Sequence, residues 1–251
     1  MTKSRVVTPP GEVSLGIVSP MANESETAVA FVKEVLAQCD SAGFKSIKFF
    51  IVLDQVSKDN TLQLLQSLAQ ERPELRVIWA PENRNIVDAY VRGYREALAA
   101  ACDWILEIDA GYSHQPAEIP QFFARMSEGY DCVFGSRFCE AGSFEPGPRQ
   151  RYLVSRGGTL LAKIFLGTKL KDMTSGFELF TRPVLEGVLA RGICSRGPFF
   201  QTEIKTYCRK LRTIEVPIHY RSPSHNLSNS TIQDAFANLG RLFCLRVAGR
   251  L

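Results

Sequence analysis

Asp109 ends a short apolar run, Trp104-Ile-Leu-Glu-Ile108, and is followed at once by Ala110-Gly111. A carboxylate in that place can hold a divalent cation or accept from a sugar hydroxyl; the plainer alternative is an aspartate that opens a turn before glycine. Two more polar clusters stop apolar runs in the same way: Asn23-Glu24 after Val13–Ser19, and Asp54-Gln55 after Lys48–Leu53. If these runs are strands of one parallel sheet, their carboxyl ends share an edge, and the clusters converge there. Such a group can accept from the N–H edges of a base, or can hold a cation that offsets charge on a pyrophosphate. Arg137, just past a fifth run, and Arg151 and Arg156 beyond it, add donors suited to phosphate oxygens. His114 reads more readily as a hydrogen-bonded loop residue than as a catalytic group.

The elements that must position these residues alternate regularly. Apolar strands at Val13–Ser19, Lys48–Leu53, Leu75–Ala80, Trp104–Ile108 and Asp131–Gly135 alternate with helical spacing at 24–38, from Asp59 onward, at 86–101 and at 117–126. Repeated β-α-β units of this length predict an α/β fold, a mostly parallel sheet with helices on both faces. Past Gly135 the texture changes. Residues 137–151 are rich in Gly, Pro and charge, as a functional or mobile loop would be. A helix is expected over 152–166, an irregular stretch over 169–177, a helix over 199–210 and a strand over 213–219. A polar, turn-rich segment follows at 221–230. Residues 233–251 close the sequence with an apolar stripe of Phe236, Leu239, Phe243 and Val247, flanked by Arg241, Arg246 and Arg250. That stripe suits a helix packed on the body of the protein or one lying on a membrane surface.

Composition narrows the classes. With 251 residues, 45% hydrophobic and 22% charged, the chain can bury a full core, and a net charge of +4 is too small for a nucleic-acid signature. Seven scattered cysteines without a CxxC pair fit reduced thiols and a cytoplasmic setting. Residues 1–12 read as a short polar tail, and no apolar run approaches the roughly twenty residues of a bilayer span. The stretch after the first strand, SPMANES, lacks both GxGxxG and the basic Gly-rich signature of a nucleotidyltransferase, which argues against dehydrogenase and nucleotidyltransferase chemistry.

Seven motifs in order, PMANESE (20–26), LDQVSKDNT (53–61), NRNIVDAYVRGYREA (83–97), EIDAGYSHQPAEIP (107–120), GSRF (135–138), RYLVSRG (151–157) and DMTSGFELF (172–180), resemble a family 2 glycosyltransferase of the GT-A, Rossmann-like fold. Within it the chain is most similar to dolichol-phosphate mannose synthases and bacterial polyprenyl-phosphate glycosyltransferases, over roughly residues 13 to 220. The resemblance implies one glycosyltransferase domain over 13–230, with a nucleotide-binding half at 13–136 and an acceptor half at 137–230, then a basic amphipathic helix over 231–251. It implies that Pro20, Asn23, Glu24, Asp54, Gln55 and Arg84 line the nucleotide pocket. Asp109 matches the first carboxylate of a metal-binding Asp-x-Asp, with Mg²⁺ or Mn²⁺ as the cofactor. Arg137 and Arg151 match arginines that hold phosphates, giving Asp109, Arg137 and Arg151 as the catalytic set. Asp172, Ser175, Gly176, Gln201 and Glu203 match the acceptor side. The implied partners are a GDP- or UDP-linked sugar and a lipid phosphate, with no nucleic acid. The implied location is cytoplasmic, peripheral on the inner face of a membrane.

The chain departs from that pattern in four places. Gly111 replaces the second Asp of Asp-x-Asp, and Gln55 replaces the second member of a base-reading carboxylate pair. The basic motif expected at 221–230 lacks its lysine, and the appended transmembrane helices of many relatives are missing. Mg²⁺ commonly takes one or two protein carboxylates with phosphates and water, so Asp109 alone suffices in principle, with Ser113 or Glu107 to assist. A phosphate acceptor is already ionised near neutral pH and needs only positioning and charge stabilisation. A glycan hydroxyl would need a carboxylate base, for which Glu203 and Asp172 are the nominees. A scaffold that binds a nucleotide sugar without transferring it is the non-enzymatic alternative.

Overall fold

The structure is a computed structural model that describes residues 9–144, 149–221 and 229–251, with backbone alone at 144 and 149–151. A seven-stranded sheet is built from β1 (Ser14–Pro20), β2 (Ser46–Leu53), β3 (Leu75–Trp79), β4 (Trp104–Ile108), β5 (Cys132–Ser136), β7 (Phe177–Thr181) and β8 (Thr213–Pro217), in the order β3-β2-β1-β4-β7-β5-β8. All neighbouring pairs are parallel except those made by β7, which runs antiparallel between β4 and β5. A two-stranded ribbon of β6 (Ser143–Phe144) and β9 (His219–Tyr220) stands beside it.

Strands buried on both sides need helices on both faces, and the helical periodicities supply them. On one face lie α1 (Ala28–Asp40), α2 (Thr61–Glu71) and α4 (Ile119–Met126), whose Phe31, Val35, Leu65 and Phe122 join Leu15, Ile17, Ile51 and Leu106 of the sheet. On the other lie α3 (Ile86–Ala99), α5 (Arg149–Leu166), α6 (Arg182–Arg191), α7 (Phe200–Tyr207) and α8 (Asn229–Val247), which pack Tyr90, Ala162, Leu185, Ile204 and Leu242 against Val18, Ile105 and Phe134.

Two features bear directly on the site. Helix α3 starts where Asn85 Oδ1 accepts from the backbone N–H groups of Val87 and Asp88 at 2.9 and 3.1 Å. It then crosses β1 so closely that a Cβ on Gly93 would collide with a Val18 methyl. Glycine there lets Tyr90 and Tyr94, one turn apart, reach the carboxyl end of β4. The second feature is β7, for which the sequence reading gave no strand: it placed Phe177 at the end of an irregular 169–177 stretch and assigned no element to 178–181. Its run FELFT is only five residues long and carries a glutamate at its centre, so no apolar pattern marks it; the glutamate is tolerated because a buried lysine meets it.

The terminal helix also differs from expectation. The stripe of Phe236, Leu239, Phe243 and Val247 does not pack as one face. Leu239 and Leu242 enter the core, while Phe236, Phe243 and Val247 remain exposed. Residues 222–228, most of the turn-rich segment, and residues 1–8 of the expected tail lie outside the described residues.

Candidate active site at the carboxyl edge of the sheet

Asp109 follows the last residue of β4, and its side chain is 40% exposed. Each oxygen has a protein neighbour: Oδ1 accepts from the Tyr90 hydroxyl, and Oδ2 lies 3.4 Å from His114 Nε2. The His114 ring is fully buried, 5.2 Å from the rings of both Phe177 and Tyr220. Gly176 presses against the same group, for a Cβ there would stand 3.1 Å from Asp109 Oδ2 and 2.9 Å from Gln201 Nε2. Asp109, Gly176 and Gln201, distant in sequence, are thus neighbours. Gln201 in turn donates to Glu107 Oε1, whose Oε2 accepts from the Tyr94 hydroxyl.

Below this layer sits a buried charge network. Glu107 and Glu178 stand directly opposite in the β4–β7 ladder, and both are fully buried. Lys205 of α7 lies 3.0 Å from Glu178 and donates at 2.9 Å to both the carbonyl and the hydroxyl of Ser175. Burial pushes the Glu178 carboxyl up to about 7, against the pull of Lys205. Burial, then the nearby Glu178, pushes Glu107 well above the carboxylate range. The lysine pairs with Glu178 and the two carboxyls face each other across the ladder, so the low-dielectric interior favours a neutral form of one of them.

Arg137 is placed beneath the surface rather than on it. It is 5% exposed, and its guanidinium meets both oxygens of Asp172 at 2.7 and 2.8 Å and Thr174 Oγ1 at 2.6 Å. Despite its burial, Asp172 is held well below the usual carboxylate range by the Arg137 guanidinium. This pair fixes the 172–176 loop that carries Ser175 and Gly176 to Asp109. Arg151 falls in the first turn of α5, and its side chain lies outside the described residues. Glu203 faces other partners. It accepts from the Ser195 N–H and hydroxyl at 2.9 and 2.6 Å, from Tyr207 at 2.7 Å and from Arg241 of α8. Those bonds outweigh desolvation and lower its proton affinity. Neither nominated base has the free lone pair and raised proton affinity that general-base work requires.

The nucleotide-side residues form a second group. Pro20 ends β1 in register with Val52. Asn23, with φ of 58°, donates to the Val56 carbonyl at 3.0 Å and accepts from Lys58 N–H at 2.8 Å. Asp54 Oδ1 accepts from Val56 N–H at 2.9 Å, and Gln55 donates to the Pro81 carbonyl at 2.8 Å. Arg84 is exposed, and its N–H donates to Asp88 at 2.9 Å. Asp59, which the sequence reading gave no site role, ties this loop to the one after β1 and to the start of α2 by accepting from Ser25 N–H at 3.0 Å and from Thr61 Oγ1 at 2.6 Å. Glu24 reaches across to the Asp109 loop. Gly111 has φ of +70°, and a Cβ on it would stand 2.7 Å from Glu24 Oε1. The carboxylate of Glu24 therefore occupies the space that a side chain at 111 would enter.

Among the described residues no group of three His, Cys, Asp or Glu side chains is disposed to hold a metal ion. The donor set is one half-exposed carboxylate, Asp109. That fits an Mg²⁺- or Mn²⁺-type ion whose other ligands are phosphate oxygens and water. Sequence reasoning missed Tyr90, Tyr94, Glu178 and Lys205. The only signal for the tyrosines was their four-residue spacing on a helix, which equally suits a core.

The chain is similar to known proteins in sequence and in fold. The chain is 29% identical over 196 residues to an undecaprenyl-phosphate mannosyltransferase of Micrococcus luteus, covering 76% of this chain and 80% of that one. It is 26% identical to a polyprenol monophosphomannose synthase of Mycolicibacterium smegmatis, covering 87% and 83%. It is 28% identical to a dolichol-phosphate mannosyltransferase of Pyrococcus furiosus, of which it spans only 56%. In fold it matches glucosyl-3-phosphoglycerate synthase of Mycobacterium tuberculosis, solved with Mn²⁺, UDP and phosphoglyceric acid, with a TM-score of 0.67 at 17% identity over 92% of this chain and 78% of that one. The sheet order, with helices on both faces, is that of the GT-A fold. The sequence pattern of glycosyl transferase family 2 matches residues 16–189, and the chain belongs to that family.

Proposed function

We propose that the chain transfers a hexose, with inversion, from a guanosine or uridine diphosphate sugar to the phosphate of a polyprenyl phosphate at the inner face of a membrane. The observation that carries this reading is the state of the carboxylates. Asp172 and Glu203 are saturated by donors and lowered in proton affinity, and Glu107 is fully buried. A hydroxyl acceptor would find neither nominated base able to take its proton, whereas an ionised phosphate oxygen needs none. The named relatives that act on undecaprenyl, polyprenol and dolichol phosphates support the same choice.

In this reading the acceptor phosphate oxygen forms a bond to the anomeric carbon as the bond to the nucleoside diphosphate breaks, and the electron pair leaves with the diphosphate. A divalent ion, Mg²⁺ or Mn²⁺, supplies charge stabilisation at that diphosphate. Asp109 holds the ion side of the site, oriented by Tyr90 and His114. Pro20, Asn23, Glu24, Asp54, Gln55 and Arg84 bind and orient the nucleotide. Arg137 and Asp172 fix the loop whose Ser175 and Gly176 abut Asp109 and Gln201. Arg151 is assigned to the acceptor phosphate.

The test pairs each nucleotide sugar with a short-chain polyprenyl phosphate or with the matching dephosphorylated alcohol, and reads products by mass spectrometry. A glycosylated phosphate from the first and nothing from the second is expected. Transfer to the alcohol or to a glycan would overturn the acceptor assignment. Nucleotide-induced thermal stabilisation without any transfer would favour the binding scaffold.

A further inference from the structure

Fourteen large apolar side chains are exposed among the described residues, and ten of them lie on α5 and α8. They are ordered. On α5, Leu153, Leu160 and Ile164 fall on one stripe at helical spacing, and on α8 so do Phe236, Phe243 and Val247. The core-facing sides of these helices are taken by Ala162 and Leu166, and by Leu239 and Leu242. Apart from Phe243, which packs on Phe165 of α5, the outer stripes face away from the core formed by the described residues. The helices touch: Phe165 meets Phe243 edge-on with ring centroids 5.5 Å apart, and Arg246 donates to the Ile164 and Phe165 carbonyls at 3.2 and 2.8 Å. An apolar surface of this extent on one side of a protein marks an interaction site.

Charge indicates the occupant. The two helices hold six basic residues and one acid, a surplus of five of which Arg241 is answered by the buried Glu203, while the whole chain carries +4, so the remainder sums to −1. The one acid, Asp234, turns inward and accepts from the Arg196 and Gly197 N–H groups at 3.2 and 3.3 Å. Lys169 and Lys171 follow α5 directly. The other end of α5 reaches the candidate active site, where Tyr152 and Arg156 pack on the Phe138 ring beside Arg137. No helix among the described residues is long and apolar enough to cross a membrane.

We infer that the joint face of α5 and α8 docks on a bilayer with anionic headgroups, sinking the Leu153–Ile164 and Phe236–Val247 stripes at the level of the headgroup boundary. Apolar burial and attraction of the surrounding Lys and Arg to anionic lipid act together in such binding. Docked this way, the N-terminal end of α5 leads from the membrane to Asp109. This placement gives the acceptor of the reading above its route in, but the docking itself does not depend on that acceptor.

The experiment is co-sedimentation of the full chain with vesicles free of any polyprenyl phosphate, made of phosphatidylcholine alone or with a quarter phosphatidylglycerol. Wild type is expected to partition at least tenfold more strongly onto the anionic vesicles and to be released by high salt. The Leu160→Asp/Ile164→Asp pair and, separately, Phe236→Asp change side chains already more than half exposed. Both are expected to lose at least tenfold in partitioning while keeping the wild-type melting temperature and the wild-type rate on a water-soluble short-chain acceptor. Equal binding by the variants, binding indifferent to lipid charge, or no binding at all would overturn the proposal. So would a concentration-dependent dimer that the same variants dissolve, since a second copy would then be the occupant. Vesicle binding without transfer activity would leave the docking standing and remove only the catalytic reading.

Discussion

Lys205 is the residue whose loss should be felt most widely. Its ammonium is fully buried, 3.0 Å from Glu178, and bonds the carbonyl and hydroxyl of Ser175, the residue before Gly176. Lys205→Met leaves Glu178 without its counter-charge in a low-dielectric interior, a change worth about 3–5 kcal/mol. For a chain of this size that is a fall in Tm of roughly 6–20 °C. The cost must depend on pH. The folded Glu178 carboxyl is raised from 4.5 to about 7, so the stability tied to its neutral form is present below 4.5 and lost as pH rises through 7. Without Lys205 that loss extends to higher pH. The variant should therefore lie about 3–5 kcal/mol below wild type at pH 8, where folding must keep a proton on the unpaired Glu178. At pH 5 the carboxyl is neutral, and only the bonds to Ser175 are missing, about 1–2 kcal/mol. Lys205→Met/Glu178→Leu, which removes both charges, should recover most of the pH 8 loss. Urea unfolding of the three proteins at pH 5 and pH 8 decides the matter. A Lys205→Met penalty equal at both pH values, or a double variant as unstable as the single one, would refute the buried-pair argument.

Two further changes probe the surface layer. Gly111→Asp recreates the spacing of two carboxylates but forces a side chain onto a φ of +70° and against Glu24. Left-handed strain of roughly 1–2 kcal/mol plus crowding of like charges predicts a Tm several degrees lower and no gain in transfer. A neutral or activating Gly111→Asp would show that Glu24 yields the space freely. Tyr90→Phe removes the hydroxyl that orients Asp109 Oδ1. Loss of such an outer partner should lower transfer about 10–100-fold and weaken metal-dependent nucleotide protection in parallel, with unfolding midpoints little changed; an unaltered metal titration would argue against the orienting role.

The sequence by itself determined the sheet and its loaded edge. Apolar runs of strand length ending in Asn23-Glu24, Asp54 and Asp109 are local signals. Five such runs alternating with helical spacing leave little choice but a parallel sheet with its strand ends on one side. The order of motifs determined the family. Tertiary structure decided what each polar residue does there. Arg137 and Asp172, read separately as phosphate and acceptor residues, neutralise each other because the fold brings them together across thirty-five positions. Glu178 could not be recognised as a strand residue, because a glutamate is admissible in a central strand only where a distant Lys205 meets it. The stripe on α8 was legible as apolar, but which of its residues face the core depends on the rotation of the helix against α5 and the sheet. Periodicity fixes spacing along one element; burial, charge pairing and rotation are set by the neighbours, and those are chosen only when the chain closes on itself.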